Sequence, residues 1–129
     1  VYACGPPPML DAIRALGEEL GWPEDAVRFE YFENTVEVDM SSAFTVDLAR
    51  SALTLEVPSG SSILDVVRSA GVSLVSSCEQ GACGTCVATV LEGEPVHQDV
   101  YLTASEQAAG DTMLTCVSRS ATPRLVLDL

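Results

Sequence analysis

The stretch SSCEQGACGTCV, residues 76–87, concentrates three of the five cysteines of this chain in one short segment. Cys78, Cys83 and Cys86 are separated by four and then two residues, and twenty-nine residues separate Cys86 from Cys116. Two glycines lie between the cysteines, and glycine adopts backbone conformations that a side chain forbids. The pattern predicts a tight loop whose thiols face one centre, with a fourth thiol supplied by a distant part of the fold.

A C-x4-C-x2-C segment with one distant cysteine is typical of a plant-type 2Fe-2S cluster. Each iron of such a cluster takes two thiolates, and the sulfur atoms accept hydrogen bonds from nearby N–H groups. The predicted iron ligands are Cys78, Cys83, Cys86 and Cys116. Small residues should let the loop backbone approach the cluster closely, and these are Ser77, Gly81, Ala82, Gly84 and Thr85.

Three other uses of the cysteines fit the sequence less well than the cluster. Structural zinc sites usually show two short cysteine pairs, whereas only Cys83 and Cys86 form a C-x2-C here. A disulfide framework favours an even count, and a thioredoxin-like pair would leave two cysteines unexplained. A zinc-stabilised interaction module remains the alternative from a different functional class. His97 is the only histidine, too few for a Rieske centre, and a surface or hydrogen-bonding role is predicted for it.

Composition limits the possible partners. The net charge is −13, from nineteen acidic residues against six basic ones, all of them arginine. Nucleic acid is not an expected partner, because binding it requires a basic surface. An acidic electron carrier that docks on a basic partner fits this charge. No apolar run approaches the roughly twenty residues of a membrane span, so we expect a soluble protein without membrane contact, located in the cytoplasm.

The first part of the chain, residues 1–32, has the pattern of a small β-α-β unit. A strand at residues 1–3 runs into prolines that favour a helix start, and apolar residues then recur at helical spacing. Alternating residues 27–31 predict a second strand. A unit of this size cannot bury its own apolar faces, so we expect it to be the C-terminal fragment of a nucleotide-binding α/β domain. The absence of an initiator methionine agrees with a chain that begins within a longer protein.

The acidic segment 33–42 is predicted to be an extended linker, and residues 43–129 are predicted to form one domain. A hairpin of alternating strands opens this domain, and a helix capped by Ser61 or Ser62 follows. Further strands flank the cysteine loop, with a short helix capped by Ser105. This order is typical of an α+β protein with the β-grasp fold.

The sequence resembles the phthalate dioxygenase reductase-like family over nearly its whole length. In the second part, the similarity to the C-terminal plant-type ferredoxin domain of that family lies in SILDVVRSAGV (62–72), SCEQGACGTC (77–86), LEGEPVHQDVYLT (91–103) and RLVLDL (124–129). In the first part, YACGPPPML (2–10) is similar to the end of the family's nicotinamide-binding domain.

This resemblance implies an electron-transfer module. The four cysteines match the family's cluster ligands, and Cys4, Gly5 and Pro6 match its motif beside the nicotinamide ring. The family implies FMN and NAD(P)H domains on the same polypeptide, and it passes single electrons from reduced flavin to an oxygenase. That oxygenase is a separate Rieske non-haem iron component or a fused haem-thiolate monooxygenase.

The motifs of the flavin domain and the glycine-rich dinucleotide loop are not in this sequence. We therefore expect no catalytic residue in this chain, and we expect it to hold neither flavin nor NAD(P)H by itself. A free-standing ferredoxin is the alternative, although residues 1–32 argue against it.

Overall fold

The computed structural model describes residues 1–129. It contains three α-helices, one 3-10 turn and nine strands. The helices are α1 (Pro7–Glu19), α2 (Ile63–Ser69) and α3 (Ala104–Ala109). The strands are β1 (Tyr2–Cys4), β2 (Arg28–Glu30), β3 (Phe44–Leu48), β4 (Leu53–Val57), β5 (Val87–Glu92), β6 (Pro95–Val96), β7 (Thr112–Leu114), β8 (Arg119–Ser120) and β9 (Arg124–Leu127).

The predicted β-α-β unit is present at the start of the chain. Strand β1 precedes α1 in the sequence, β2 follows it, and the two strands pair in parallel. Pro6 is the N-cap of α1, and Gly21 lies just beyond its end with φ +68°. Only part of the apolar face of α1 is covered by other residues of the chain. Leu10 is buried, whereas Leu16 and Leu20 are more than half exposed, because no second layer of this chain packs on that side of the helix.

The second part of the chain folds around a five-stranded mixed sheet with the order β4-β3-β9-β5-β7. Strand β3 pairs in parallel with β9 and antiparallel with β4, which is the predicted hairpin. Apolar side chains alternate along β3, and those of α2 cover the same face of the sheet. The main core consists of Phe44, Val46, Leu48, Val57, Ile63, Val67, Val90, Met113, Leu125 and Leu127. This arrangement confirms the predicted α+β ferredoxin-like fold.

The caps of the two helices in this domain were predicted with mixed success. Ser62 caps α2: its hydroxyl accepts the N–H of Asp65 at 3.0 Å, and the Asp65 carboxylate accepts the N–H of Ser62 at 3.3 Å. Ser105 is the wrong cap for α3. The same reciprocal box is formed by Thr103 and Glu106, so Ser105 lies within the first turn. Each such cap contributes about 1 kcal/mol.

Segment 33–42 contains no helix or strand, but residues 34–42, called the strap below, are bonded to the second domain. The amide of Gln98 accepts the N–H of Asp39 at 2.6 Å and donates to its carbonyl at 3.0 Å and to that of Val117 at 2.9 Å. Asn34 donates its side-chain N–H to the carbonyl of Gln98 at 2.7 Å. At the other end of the strap, the buried Arg119 donates to Ser42. The strap therefore lies along the domain and does not hang free.

Replacing Gln98 with alanine is expected to release the strap. The change removes three hydrogen bonds, each contributing about 0.5–1.5 kcal/mol, and leaves a buried carbonyl unpaired. Amide exchange of residues 34–42 should accelerate, and a glutamate-specific protease should cut faster after Glu37. Gln107→Ala is the matched control, because the only side-chain bond of Gln107 is long, at 3.5 Å. Equal protection of the strap in both variants would show that Gln98 does not hold it.

Candidate metal centre

Four of the five cysteines lie in the second domain and form two neighbouring pairs. The sulfur atoms of Cys86 and Cys116 are 3.2 Å apart, and both residues are buried. Cys78 is close enough to Cys83 to affect its thiol, and Cys83 is exposed. No group of three or more His, Cys, Asp or Glu side chains is placed to hold a single metal ion. Cys4, the fifth cysteine, ends β1 in a different sheet.

The sheet brings the buried pair together. The loop that begins after α2 carries Cys78 and Cys83, and it ends at Cys86 directly before β5. Strand β5 pairs antiparallel with β7, which places Val87 opposite Leu114. Cys116 lies in the turn after β7, and the N–H and hydroxyl of Thr115 both bond to the Cys86 carbonyl, at 3.1 and 3.0 Å. The pairing of β5 with β7 thus brings together Cys86 and Cys116, which are thirty residues apart in the sequence.

Two glycines in the loop occupy positions where a side chain would not fit. Gly81 has φ +80°, and a Cβ there would lie 2.7 Å from Val117. Gly84 has φ +73°, and a Cβ there would lie 2.2 Å from the ring of Tyr101. The positive φ angles and the close contacts are possible because glycine has no side chain. The loop backbone can therefore lie tightly against the rest of the domain.

Gly84→Ala is expected to disorder the loop and lower its metal content sharply. An alanine with positive φ costs roughly 1–2 kcal/mol, and the added methyl group must also displace the Tyr101 ring. Gly60→Ala is the matched control, since Gly60 has φ +83° but no atom within 4 Å of an added Cβ. Iron content and thermal melting of the two variants separate the clash from the backbone strain. Equal losses in both would mean that contact with Tyr101 has no part in shaping the loop.

Hydrogen-bond donors point at the sulfur atoms of Cys78 and Cys83. Gln80 N–H lies 3.4 Å from the Cys78 sulfur, and Thr85 N–H lies 3.5 Å from the Cys83 sulfur. The Thr85 hydroxyl is 3.1 Å from the Cys83 sulfur. Burial alone would raise the pKa of Cys83, but hydrogen bonds from Thr85 and Cys78 outweigh it and lower this pKa to about 7. The hydrogen bonds to Cys83 therefore make its ionisation easier than that of a free cysteine.

The buried pair shares a proton. Its hydrogen bond with Cys116 lowers the pKa of Cys86 to about 6, against the effect of burial. The same hydrogen bond, together with burial and the charge of Cys86, raises the pKa of Cys116. A second negative charge at this position needs a positive partner such as a metal ion. The donor set, four thiols with N–H groups aimed at sulfur, fits an iron-sulfur cluster.

The remaining predicted loop residues take different positions. Ala82 is buried, whereas Ser77 and Thr85 are exposed at the rim of the loop. Glu79, next to Cys78, has φ +55° and bonds to the Arg68 guanidinium at 2.7 Å. That ion pair holds the outer edge of the loop against α2, and neither residue was singled out by the sequence.

The motif Cys4, Gly5 and Pro6 lies at the junction of β1 and α1. Cys4 is exposed, and a Cβ on Gly5 would lie 2.2 Å from the end of the Met9 side chain. Between this unit and the second domain is a cleft of about 770 Å³, lined by Trp22, Tyr101 and sixteen other residues. Both aromatic residues are partly exposed there.

His97 is not at the surface, which is one of the two roles predicted for it. Its side chain is only 9% exposed, and Nδ1 lies 3.7 Å from the Asp99 carboxylate. Asn34 and Gln98, which join the strap to the domain, were also missed, because side-chain bonds between segments 64 residues apart leave no local pattern.

None of the helices in the structure has the length and apolar character needed to span a bilayer.

Comparison with known proteins agrees with this geometry. Residues 46–121 match the family model described as 2Fe-2S iron-sulfur cluster binding domain. Phenoxybenzoate dioxygenase subunit beta of Ectopseudomonas oleovorans is 44% identical over 99% of this chain, which spans 40% of that protein. The chain thus covers about two fifths of the length of this curated relative.

Two solved structures are similar over the entire chain. Phthalate dioxygenase reductase, described as a modular structure for electron transfer from pyridine nucleotides to [2Fe-2S], superposes with a TM-score of 0.75 at 40% identity, and 39% of it is covered. An intact type IV self-sufficient cytochrome P-450 monooxygenase gives a TM-score of 0.79 at 41% identity, and 17% of it is covered. The chain therefore belongs to the 2Fe-2S iron-sulfur cluster binding domain family, and its homologues are phthalate dioxygenase reductase-like reductases.

Proposed function

We propose that Cys78 and Cys83 bind one iron of the 2Fe-2S cluster and that Cys86 and Cys116 bind the other. The observation that carries this assignment is the arrangement of the four thiols in two neighbouring pairs. Each iron of a two-iron cluster needs two thiolates. The N–H groups of Gln80 and Thr85 would stabilise the sulfur atoms of Cys78 and Cys83 and tune the reduction potential.

The module would carry single electrons from reduced flavin to an oxygenase. When bound, the cluster supplies a one-electron redox couple in which no covalent bond of the protein is made or broken. The protein's part is to hold the four sulfur atoms, exclude water from Cys86 and Cys116, and leave Cys83 at the surface. Electrons would enter and leave at the Cys83 side, because that ligand is the exposed one.

The domain arrangement is part of the same proposal. Residues 1–32 would complete a nicotinamide-binding domain, with Cys4, Gly5 and Pro6 beside the nicotinamide ring, and residues 43–129 would be the cluster domain. FMN and NAD(P)H would be held by other domains of a longer cytoplasmic polypeptide. The similar proteins include a dioxygenase subunit and a self-sufficient monooxygenase, which supports an oxygenase acceptor, either fused or separate.

The purified chain is expected to be brown and to contain iron and acid-labile sulfide in equal amounts. After reduction by one electron, it should give a rhombic electron paramagnetic resonance signal, because a plant-type cluster then has an odd electron. Stoichiometric zinc without sulfide would overturn the proposal and favour the zinc-stabilised module. The test uses this chain alone and does not depend on the identity of its oxygenase.

A further inference from the structure

Asp99 is a buried acidic residue that has no place in the cysteine motif. Its side chain is fully buried, and burying a carboxylate is unfavourable unless hydrogen bonds compensate for the lost water. Its Oδ2 accepts the N–H groups of Tyr101 at 3.2 Å and Leu102 at 2.8 Å, whereas Oδ1 accepts no hydrogen bond within the protein. The hydrogen bonds of this carboxylate are therefore all made to the backbone that directly follows it.

These two hydrogen bonds shape the segment 99–102. An aspartate that accepts N–H groups from the residues shortly after it closes a local turn. The segment contains no helix or strand, and it leads into α3, which begins at Ala104. Because no ladder of backbone hydrogen bonds fixes this turn, its conformation depends on the Asp99 carboxylate.

The turn contacts the cysteine loop at two glycines. Val100 N–H donates to the Gly81 carbonyl at 3.1 Å. The Tyr101 ring covers Gly84, and its nearest atom lies 2.2 Å from the position that a Cβ would take there. Gly81 lies two residues before Cys83, and Gly84 directly follows it. The turn therefore holds the backbone on both sides of this predicted ligand.

We propose that Asp99 is a positioning residue for the 2Fe-2S cluster, acting through the turn 99–102 on the loop that carries Cys83. Asp99 bonds to no cysteine itself. The hydroxyl and N–H of Thr85 lie 3.1 and 3.5 Å from the Cys83 sulfur, and hydrogen bonds to ligand sulfur atoms tune the reduction potential of a cluster. A loop released from the turn would no longer hold these donors at the sulfur. The effect on the cluster rests on the proposed function, whereas the effect on the loop does not.

The test compares the purified full chain with the variants Asp99→Ala and Asp99→Asn. In Asp99→Ala, amide exchange of segments 80–87 and 99–102 should accelerate on the order of tenfold, as for the loss of one protecting hydrogen bond. Its reduction potential should fall, because weaker hydrogen bonds to sulfur disfavour the more negative, reduced cluster. Asp99→Asn keeps an acceptor oxygen in the same place, so both values should return to those of the parent chain.

Asp47→Ala is the matched control. Asp47 accepts hydrogen bonds from Thr54 at 2.7 Å and from Arg124, but it lies on β3, which does not pair with β5. This change should lower the melting temperature without moving the reduction potential or the exchange of segment 80–87. Parent values in Asp99→Ala, or equal changes in Asp47→Ala and Asp99→Ala, would overturn the proposal.

Tyr101→Ala tests one of the two contacts separately. It removes the ring from Gly84 but keeps the N–H that Asp99 accepts, so the reduction potential should fall while segment 99–102 stays protected from exchange. This variant decides the question if Asp99→Ala does not fold, since the Tyr101 ring is partly exposed. Parent values of the potential and of loop exchange in Tyr101→Ala would then refute the proposal. A chain without a cluster would contradict the proposed function, and the exchange rates would still show whether Asp99 holds the loop.

Discussion

Cys83→Ala is expected to abolish the cluster, whereas Cys4→Ala leaves it intact. Cys83 supplies one of the two thiols of the Cys78–Cys83 pair, and an iron with a single remaining protein thiolate is readily lost to solvent. Cys4 lies in another sheet and bonds to none of the four. The visible absorption, the iron content and the paramagnetic resonance signal should all disappear in the first variant and match the parent chain in the second.

Loss of the cluster should also destabilise the second domain. Binding of a structural metal ion contributes free energy to folding, at about 10 kcal/mol or more in small zinc domains. The loop at 76–86 has no helix or strand, so much of its order should depend on the bound cluster. The melting temperature of Cys83→Ala should therefore fall by many degrees. Similar iron loss from both alanine variants would show that the fifth cysteine has been misassigned.

Much of the fold was predictable from local patterns. The alternation in β3 and the serine cap of α2 are each encoded in a few neighbouring residues, and the structure contains both, with Ser62 as the cap. The cysteine spacing predicts the site for the same reason, because three of the four predicted ligands lie in one short loop. The Thr103 cap was missed although its T-x-x-E signature was present in the sequence.

Features that depend on distant contacts were not predictable. The strap is held by Gln98, 59 residues beyond Asp39, and its own sequence shows only acidic residues without periodicity. A surface or hydrogen-bonding role is predicted for His97, yet the fold leaves its side chain only 9% exposed beside Asp99. Packing between distant segments determines the position of the strap and of His97, and the hydrophobic pattern of the sequence carries no information about such packing.

NADH alone is expected to leave the cluster of this chain oxidised. Hydride transfer delivers two electrons together, and a flavin is needed to divide them into single electrons. The phosphate-binding glycine loop that gives a dinucleotide its affinity is not among these residues. Cys4, Gly5 and Pro6 would form one edge of a nicotinamide site, which by itself offers no phosphate contact.

The measurement is anaerobic absorption of the cluster with three reductants in parallel. Dithionite and photoreduced FMN should each bleach the visible bands, because they donate single electrons directly. NADH should do so only when a separate flavin reductase is added, at a rate set by that enzyme. Rapid bleaching by NADH alone would mean that this chain holds a complete hydride acceptor, and the proposed division of labour among domains would then be wrong. If none of the three reductants bleaches the bands, the cluster assignment itself would be wrong. The experiment therefore distinguishes an error in the cluster assignment from an error in the proposed roles of the domains.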